Sequence, residues 1–313
     1  MLHSIVFCLN RAILCDHLVR SLEQHLAGSR NDVTITLLHG ATNEGYERGF
    51  SILRERFGDR ITFVRKHQGL WRTPLTLLLR PRNLYYFIKF PYYRDTSSIF
   101  NFKPLLEEVI AQSTSEYVTF LTDDSFFHRG ANVAEALSCL AAQNPVHDSF
   151  SFRHGLNMGN PPAHMRQERD FIHWEFGSSE SDEYWSYRFS IDGHIYRRSF
   201  LLPFIRRILY VNPNTFEGVV ERFAELGGFL SRGHGFHESV LAGAEINRVQ
   251  NVSANNNMGI NNEMLNDHYL NGFRLKLVTE EPVTEFHPRI RRLSLRNEAT
   301  GEEISLFENR PCA

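Results

Sequence analysis

The sequence predicts an α/β fold, a largely parallel sheet flanked by helices, and three observations carry that prediction. Short apolar runs rich in β-branched residues alternate with helix-period segments through the first 125 residues, the pattern of strands joined by crossover helices. The run YVTFL ends on two adjacent acids, Asp123 and Asp124, and open α/β sheets receive ligands outside the carboxyl ends of their strands. A chain of 313 residues, 42% of them hydrophobic, is long enough for one large core or two fused ones.

Taken in order, SIVFCL is the first expected strand, and CDHLVRSLEQHLA a helix with Leu18, Leu22 and Leu26 on one face. VTITLL is a second strand, TNEGYERGFSILRERF a helix ending before Gly58-Asp59, and ITFVRK a third strand. KPLLEEVIAQST forms a helix leading into the fourth strand, YVTFL. ANVAEALSCLAAQ is then a helix and DSFSFR a strand, before a loop-rich stretch over residues 155–185. YRFSIDGHIYRR follows as a strand turning into the helix SFLLPFIRRIL. FEGVVERFAEL is a helix capped by Asn214 or Thr215, whose oxygens can accept from the free amides of a first turn. An Asn-rich run, NVSANNNMGINNE, leads into the helix MLNDHYLNGF. The working division is residues 1–125 as one half and 126–313 as the other, the latter ending in a tail.

Composition removes several classes. Lys plus Arg number 34 against 36 Asp plus Glu, so no chain-wide positive field exists to hold a phosphate backbone, which argues against general nucleic-acid binding. Cys8, Cys15, Cys139 and Cys312 lie far apart with no CxxC, so neither a zinc ribbon nor a disulfide framework is readable and a reducing cytoplasm fits best. No run of eighteen apolar residues suggests a bilayer span. MLHSIVFCLNR has no basic region before its short apolar run, so no secretory signal is expected.

Two carboxylates at a strand end suit a hard divalent cation, Mg2+ or Mn2+, shared with a diphosphate, though such a pair can equally do no more than end the strand and cap its turn. GHGFHES, with His234, His237 and Glu238, offers two imidazoles and an acid, but no third ligand at useful spacing makes it a metal site.

Several segments, in chain order, resemble one family. SIVFCLNRAILCDHLVRSL is similar to the strand, Asn-Arg turn and helix that open bacterial GT-A fold glycosyltransferases of the family 2-like kind. FNFKPLLEEVIAQSTSEYVTFLTDD resembles their helix and the strand ending in the DxD metal motif. SIDGHIYRRSFL is similar to the acceptor-side strand, FEGVVERF sits where an acid commonly begins a helix, and VTEFHPRI resembles a late strand carrying a metal- or phosphate-binding His. The likeness covers most of residues 3–290.

The resemblance implies a Rossmann-type mixed sheet with fused nucleotide-sugar-binding and acceptor-binding halves, and metal-dependent transfer of a sugar from a nucleotide diphosphate to a hydroxyl, inverting in the favoured form, in surface glycan or polysaccharide synthesis. The motif here is Thr122-Asp123-Asp124, so Asp124 becomes the direct metal ligand, with His287, and Asp123 a ribose contact or a support to that ligand. Asn10, Arg11 and Lys103 would approach the nucleotide; in the bland reading they are turn and helix-end residues. Glu217 is the first choice of base for the acceptor hydroxyl and Asp192 the second; the bland roles are a helix-start acid and a turn residue before Gly193. The second strand ends in His39-Gly40-Ala41-Thr42, where family members often carry an Asp near the nucleobase.

Residues 60–94 hold eight cations, Arg60, Arg65, Lys66, Arg72, Arg80, Arg82, Lys89 and Arg94, and no acid, interleaved with Trp71, tyrosines and leucines. That composition suits anionic headgroups or a lipid-linked acceptor at the inner face of the membrane, single-stranded nucleic acid held by stacking and phosphate contacts, or a partly buried insertion pairing with the acid-rich 168–183 stretch. Beside the enzyme stand two alternatives: a non-catalytic sugar-nucleotide or membrane-surface binding module, and a nucleotidyltransferase, which would normally show a Gly-rich phosphate loop that Cys8-Leu9-Asn10-Arg11 lacks.

Overall fold

The computed structural model describes residues 1–66, 84, 85, 88, 102–177, 183–247 and 257–308. The first half follows the expected alternation: β1 (Leu2–Leu9), α1 (Ala12–His25), β2 (Leu26–Ala27), α2 (Ser29–Asp32), β3 (Val33–Gly40), α3 (Glu44–Phe57), β4 (Ile61–Arg65), α4 (Phe102–Gln112) and β5 (Tyr117–Thr122). Next come β6 (Ser125–Phe127), β7 (Ala131–Asn132), α5 (Val133–Ala141), β8 (Asp148–Ser151), β9 (Arg166–Gln167), β10 (Phe171–Glu175), α6 (Glu183–Ser186), β11 (His194–Arg197), α7 (Arg198–Ile205), α8 (Pro213–Gly227), β12 (Arg232–Phe236) and β13 (Leu241–Gly243). The chain closes with α9 (Asn262–Leu270), β14 (Phe273–Thr279), β15 (Ile290–Asn297) and β16 (Glu303–Glu308).

Among the described residues nine strands form one sheet in the order β4-β3-β1-β5-β11-β8-β12-β10-β9. The pairs β4-β3, β3-β1 and β1-β5 are parallel, as are β8 and β12, whereas β11 runs antiparallel to both of its neighbours. The sheet is therefore mixed, as the family resemblance implied, and it runs unbroken across residue 125. Its strands β1, β3 and β5 are largely apolar along their length because both of their faces are covered. Ile5 and Phe7 enter a cluster with α4, α7 and α8, while Leu2, Val6 and Cys8 enter one with α1, α3, α5 and α9.

Several expectations are corrected. The strand expected over 187–198 exists only as β11, because Gly193 turns the chain at φ +83, a backbone region open to glycine, and a Cβ there would lie 2.2 Å from Leu241. Residues 155–185 contain β9, β10 and α6 and a core of their own, with Met158, Ile172, Trp174, Phe176, Trp185 and Phe286 buried together. Helix α8 starts earlier than expected: Asn212 caps it reciprocally with Thr215, and Pro213 occupies the first turn, where no amide is needed. MLNDHYLNGF ends as a helix at Leu270 and continues into β14, and 283–289 is not a strand, since Pro282 and Pro288 offer no backbone N–H and β15 begins only at Ile290.

Candidate active site

The topology brings the chemistry together. The carboxyl ends of the parallel β1, β4 and β5 lie at one edge of the sheet. The end of β8 reaches the same edge, and so does the start of antiparallel β11. Arg11 follows β1, Lys66 follows β4, Asp123 and Asp124 follow β5, Arg153 follows β8 and Asp192 precedes β11.

Asp123 is 1% exposed and receives the Arg11 guanidinium on both oxygens, through Nε at 2.9 Å and through Nη2. Arg11 Nη1 reaches Asp124 Oδ2 at 3.2 Å and the backbone oxygen of Asn247, also at 3.2 Å. Burial pushes the Asp123 carboxyl upward against the pull of Arg11. Arg11, expected at the nucleotide, thus spends its donors on the acids and on Asn247. Asn10 is likewise engaged within the fold. It sits at φ 62, exchanges hydrogen bonds with Thr42 at 2.9 and 2.8 Å, and accepts one from Asn262 on its carbonyl. Lys103 lies under the opposite face of the sheet, donating to Ile205 O at 2.9 Å, paired with Glu107 and 4.3 Å from the Tyr210 ring centre. These partners hold it on the side of the sheet that α7 and α8 cover.

Asp124 keeps 26% of its side chain exposed. Glu245, which the sequence reading passed over, faces it from the segment after β13: Ala244 N donates to Asp124 O at 2.8 Å, and burial together with the charge of Asp124 raises the Glu245 carboxyl. His287 Nδ1 lies 3.9 Å from Glu245 Oε1 and packs so tightly on Gly243 that a Cβ there would come within 2.8 Å of it. Burial and Arg153 hold His287 down at about 4, so the ring is neutral at pH 7. Arg153 Nη2 lies 3.3 Å from His287 Nε2 and takes its lone pair, which leaves the proton on Nδ1, facing Glu245. As placed, His287 offers a cation no lone pair; Asp124 and Glu245 offer carboxylates.

Asp192 joins the same group. Its Oδ1 accepts from Thr122 Oγ1 at 2.8 Å and its Oδ2 from Arg153 Nη1 at 2.7 Å. Glu217 stands behind it, in the second turn of α8, and not at the opening. Its Oε1 accepts from Ile191 N and from Ser190 Oγ, both at 3.0 Å, and Ser190 Oγ in turn accepts from Asp192 N at 3.1 Å. One turn on, Glu221 Oε2 accepts from Phe189 N at 2.6 Å. The i, i+4 pair on α8 therefore pins the loop that presents Asp192. Burial and the nearby Asp192 charge push Glu217 up to about 7, and burial pushes Glu221 to about 7 as well.

A stability test follows from the sign of that shift. In the folded chain Glu221 holds its proton up to about pH 7, whereas an unfolded glutamate releases it near 4.5. Its contribution is full below the unfolded value and is lost as pH climbs through 7. The melting temperature of Glu221→Gln minus that of wild type is expected to rise from pH 5 to about pH 7 and to level off above it in thermal melts. A difference independent of pH contradicts the protonated buried carboxyl.

Lys66, counted above within the basic 60–94 stretch, follows β4, lies in electrostatic reach of Asp123 and Cys8, and is lowered by burial. The other cations of that stretch from Arg72 onward fall outside the described residues. Among the described residues no helix is long and apolar enough to cross a membrane.

No protein-family model matches the chain, and no curated protein does. It is similar to the solved structure of S. aureus TarS, at TM-score 0.43 and 13% identity over 77% of this chain and 36% of that one. For the TarS fragment 1–349 the identity is 12% over 77% of this chain and 59% of the fragment, again at TM-score 0.43. It is also similar to the mannosyltransferase PcManGT from Pyrobaculum calidifontis in complex with GDP-Man and Mn2+, at TM-score 0.33 and 15% identity over 50% of this chain and 36% of that one. The chain spans between about a third and three-fifths of the length of these structures.

Proposed function

We propose that the chain is a glycosyltransferase that moves a sugar from a nucleotide diphosphate donor to a hydroxyl acceptor with the help of a divalent cation. The observation that carries this reading is the meeting, at the carboxyl edge of the sheet, of Asp124 and Glu245 with Asp192, itself held between Thr122 and Arg153. Two like-charged carboxylates kept together in a half-buried site fit a hard cation with oxygen ligands, so Asp124 and Glu245 would hold Mg2+ or Mn2+, with His287 beside them. A bound cation of this kind supplies positive charge against a diphosphate leaving group. Lys66 and Arg153 add fixed charge from two sides of the same edge. Arg11 neutralises Asp123 and fixes the position of Asp124, so it serves the nucleotide at one remove. Asp192 accepts the proton of the acceptor hydroxyl, and Glu217 positions Asp192 through Ser190 and Ile191; this reverses the order of preference that the sequence suggested.

Nucleotide binding tests the reading. UDP, GDP and dTDP are titrated calorimetrically with and without Mn2+, and the release of nucleotide diphosphate from the matching sugar donors is then assayed. Mn2+-dependent binding of one nucleotide is expected. Asp124→Asn should weaken it by about ten- to a hundredfold, the worth of a charge-assisted contact of about 1.5–3 kcal/mol. Equal binding in both proteins sinks the cation site. Mn2+-dependent binding with no donor turnover leaves a binding module. The proposal extends to a glycan or lipid-linked acceptor, met in the cytoplasm at the inner membrane face through residues 60–94. Co-sedimentation with anionic vesicles that weakens at high salt supports that part, and equal partitioning to neutral vesicles removes it.

A further inference from the structure

We propose that Cys139, His173 and His234 form a second metal site, for a borderline-soft divalent ion of the zinc type, separate from the carboxylate edge described above. The three come from α5, β10 and β12. Their ligand atoms, one thiol sulfur and two imidazole nitrogens, lie within 4.8 Å of one another. On the sheet, β12 stands three strands from β5, about 14 Å at the usual strand spacing, so the cluster takes no part in the chemistry assigned to Asp124 and Asp192.

The hydrogen bonding around the two histidines leaves one proton between them that a metal ion can replace. His173 and His234 are opposed residues of the antiparallel β10-β12 pair, at 7% and 4% exposure. His234 Nε2 lies 2.7 Å from Oδ1 of Asp148, a carboxylate at 1% exposure that Arg232 keeps paired at 2.9 and 2.6 Å. Only a ring N–H can bond that oxygen, so the proton of His234 is on Nε2 and its Nδ1 presents a lone pair. This carboxylate-to-imidazole contact is the support that fixes the tautomer of metal-bound histidines. His173 Nδ1 points at that lone pair from 2.5 Å. In the metal-free chain His173 Nδ1 donates its proton to that lone pair, while its Nε2 makes no hydrogen bond and faces the Glu168 carboxylate at 3.4 Å, a place for the ring proton when a metal takes Nδ1. A metal ion that replaces the shared proton meets both Nδ1 lone pairs. The Cys139 sulfur completes the set: N, N and S donors are a zinc-type set, and three protein ligands leave a fourth position open to water. A tetrahedral ion with bonds of about 2.0–2.3 Å holds its ligand atoms a little over 3 Å apart, so the ring nitrogens must part slightly and the sulfur close in when it enters.

The pattern was out of reach of motif reading because His173 and His234 are 61 residues apart. The neighbour that suggested a local site, His237, turns away to the backbone oxygen of Glu168 at 2.7 Å.

Cobalt is the probe. The metal-stripped, tag-free chain is titrated with Co2+ and followed by absorption, and one equivalent should produce visible d–d bands of tetrahedral intensity with a thiolate-to-cobalt charge-transfer band in the near ultraviolet. Cys139→Ser should lose the charge-transfer band with its circular dichroism unchanged, and Asp148→Asn should weaken binding by about 10- to 100-fold. Asp124→Asn should leave the band intact, since it belongs to the other site. No thiolate band in wild type means that the histidines share only a proton, and it overturns the proposal without recourse to any variant. A band that survives Cys139→Ser, and so arises at Cys8, Cys15 or Cys312, overturns it too, as does its loss in Asp124→Asn.

Discussion

Arg11→Met is expected to lower the unfolding free energy by about 3–5 kcal/mol, measured by urea denaturation at pH 7, because it removes one partner of a buried ion pair and leaves the other without compensation. Asp123 is 1% exposed and Arg11 8% exposed, and the guanidinium contacts both oxygens of the acid. Without Arg11, Asp123 must keep an unpaired charge in the interior or take up a proton, and Asp124 loses a contact at 3.2 Å. The double variant Arg11→Met with Asp123→Leu removes both charges together and should recover most of the loss, since replacing a buried pair by apolar groups costs little. A single-variant loss below about 1 kcal/mol, the range of exposed pairs, would mean that water reaches the pair and that Asp123 is not held in place by Arg11. The double variant also separates stability from function: a folded chain that no longer binds nucleotide assigns Arg11 and Asp123 to positioning Asp124.

What the sequence disclosed and what it concealed divide along sequence separation. The strands of the first half are legible because a parallel strand covered on both faces is a continuous apolar run, as in SIVFCL and VTITLL. The acid pair at the end of YVTFL is legible for the same reason, since the run stops where the polar residues begin. The partners of those acids are not. Arg11 and Asp123 are 112 positions apart, Thr122 and Asp192 are 70, and Arg153 and His287 are 134. Nothing local marks Arg153 or Glu245 as members of the site. The 187–198 segment misled because its alternation continues through Asp192-Gly193, and only the positive φ of Gly193 stops pairing there. A signal was available for residues 155–185, where Trp174, Phe176 and Trp185 are too many large apolar side chains for an exposed loop. The cap of α8 was legible too: an Asn before Pro213 with Thr215 three residues later is a capping pair, and the expectation placed the start three residues late.

Asp192→Asn is expected to lower the rate of sugar transfer by about 10²–10⁴-fold, the usual worth of a positioned proton acceptor, with nucleotide affinity unchanged. The substitution keeps the size of the side chain and an oxygen to accept from Thr122 Oγ1, now at 2.8 Å from Asp192 Oδ1. It removes the charge that Arg153 Nη1 contacts at 2.7 Å and the lone pair that would take the proton of the acceptor. The nucleotide side of the site, Asp124 with Glu245, is untouched, so the loss should fall on turnover and spare donor binding, the pattern of an interaction made only in the transition state. Glu217 gives the internal control. It touches the site only through Ile191 N and Ser190 Oγ, and Gln keeps an oxygen that can accept from both. Glu217→Gln should therefore cost less than Asp192→Asn, and Glu217→Ala, which frees the 189–192 loop, should cost more than Glu217→Gln. Should Glu217→Gln alone bring the large loss while Asp192→Asn leaves turnover near wild type, the proton passes to Glu217. Its carboxyl, raised to about 7 by burial and by Asp192, would then give the rate an ascending limb near neutral pH that the Gln variant abolishes.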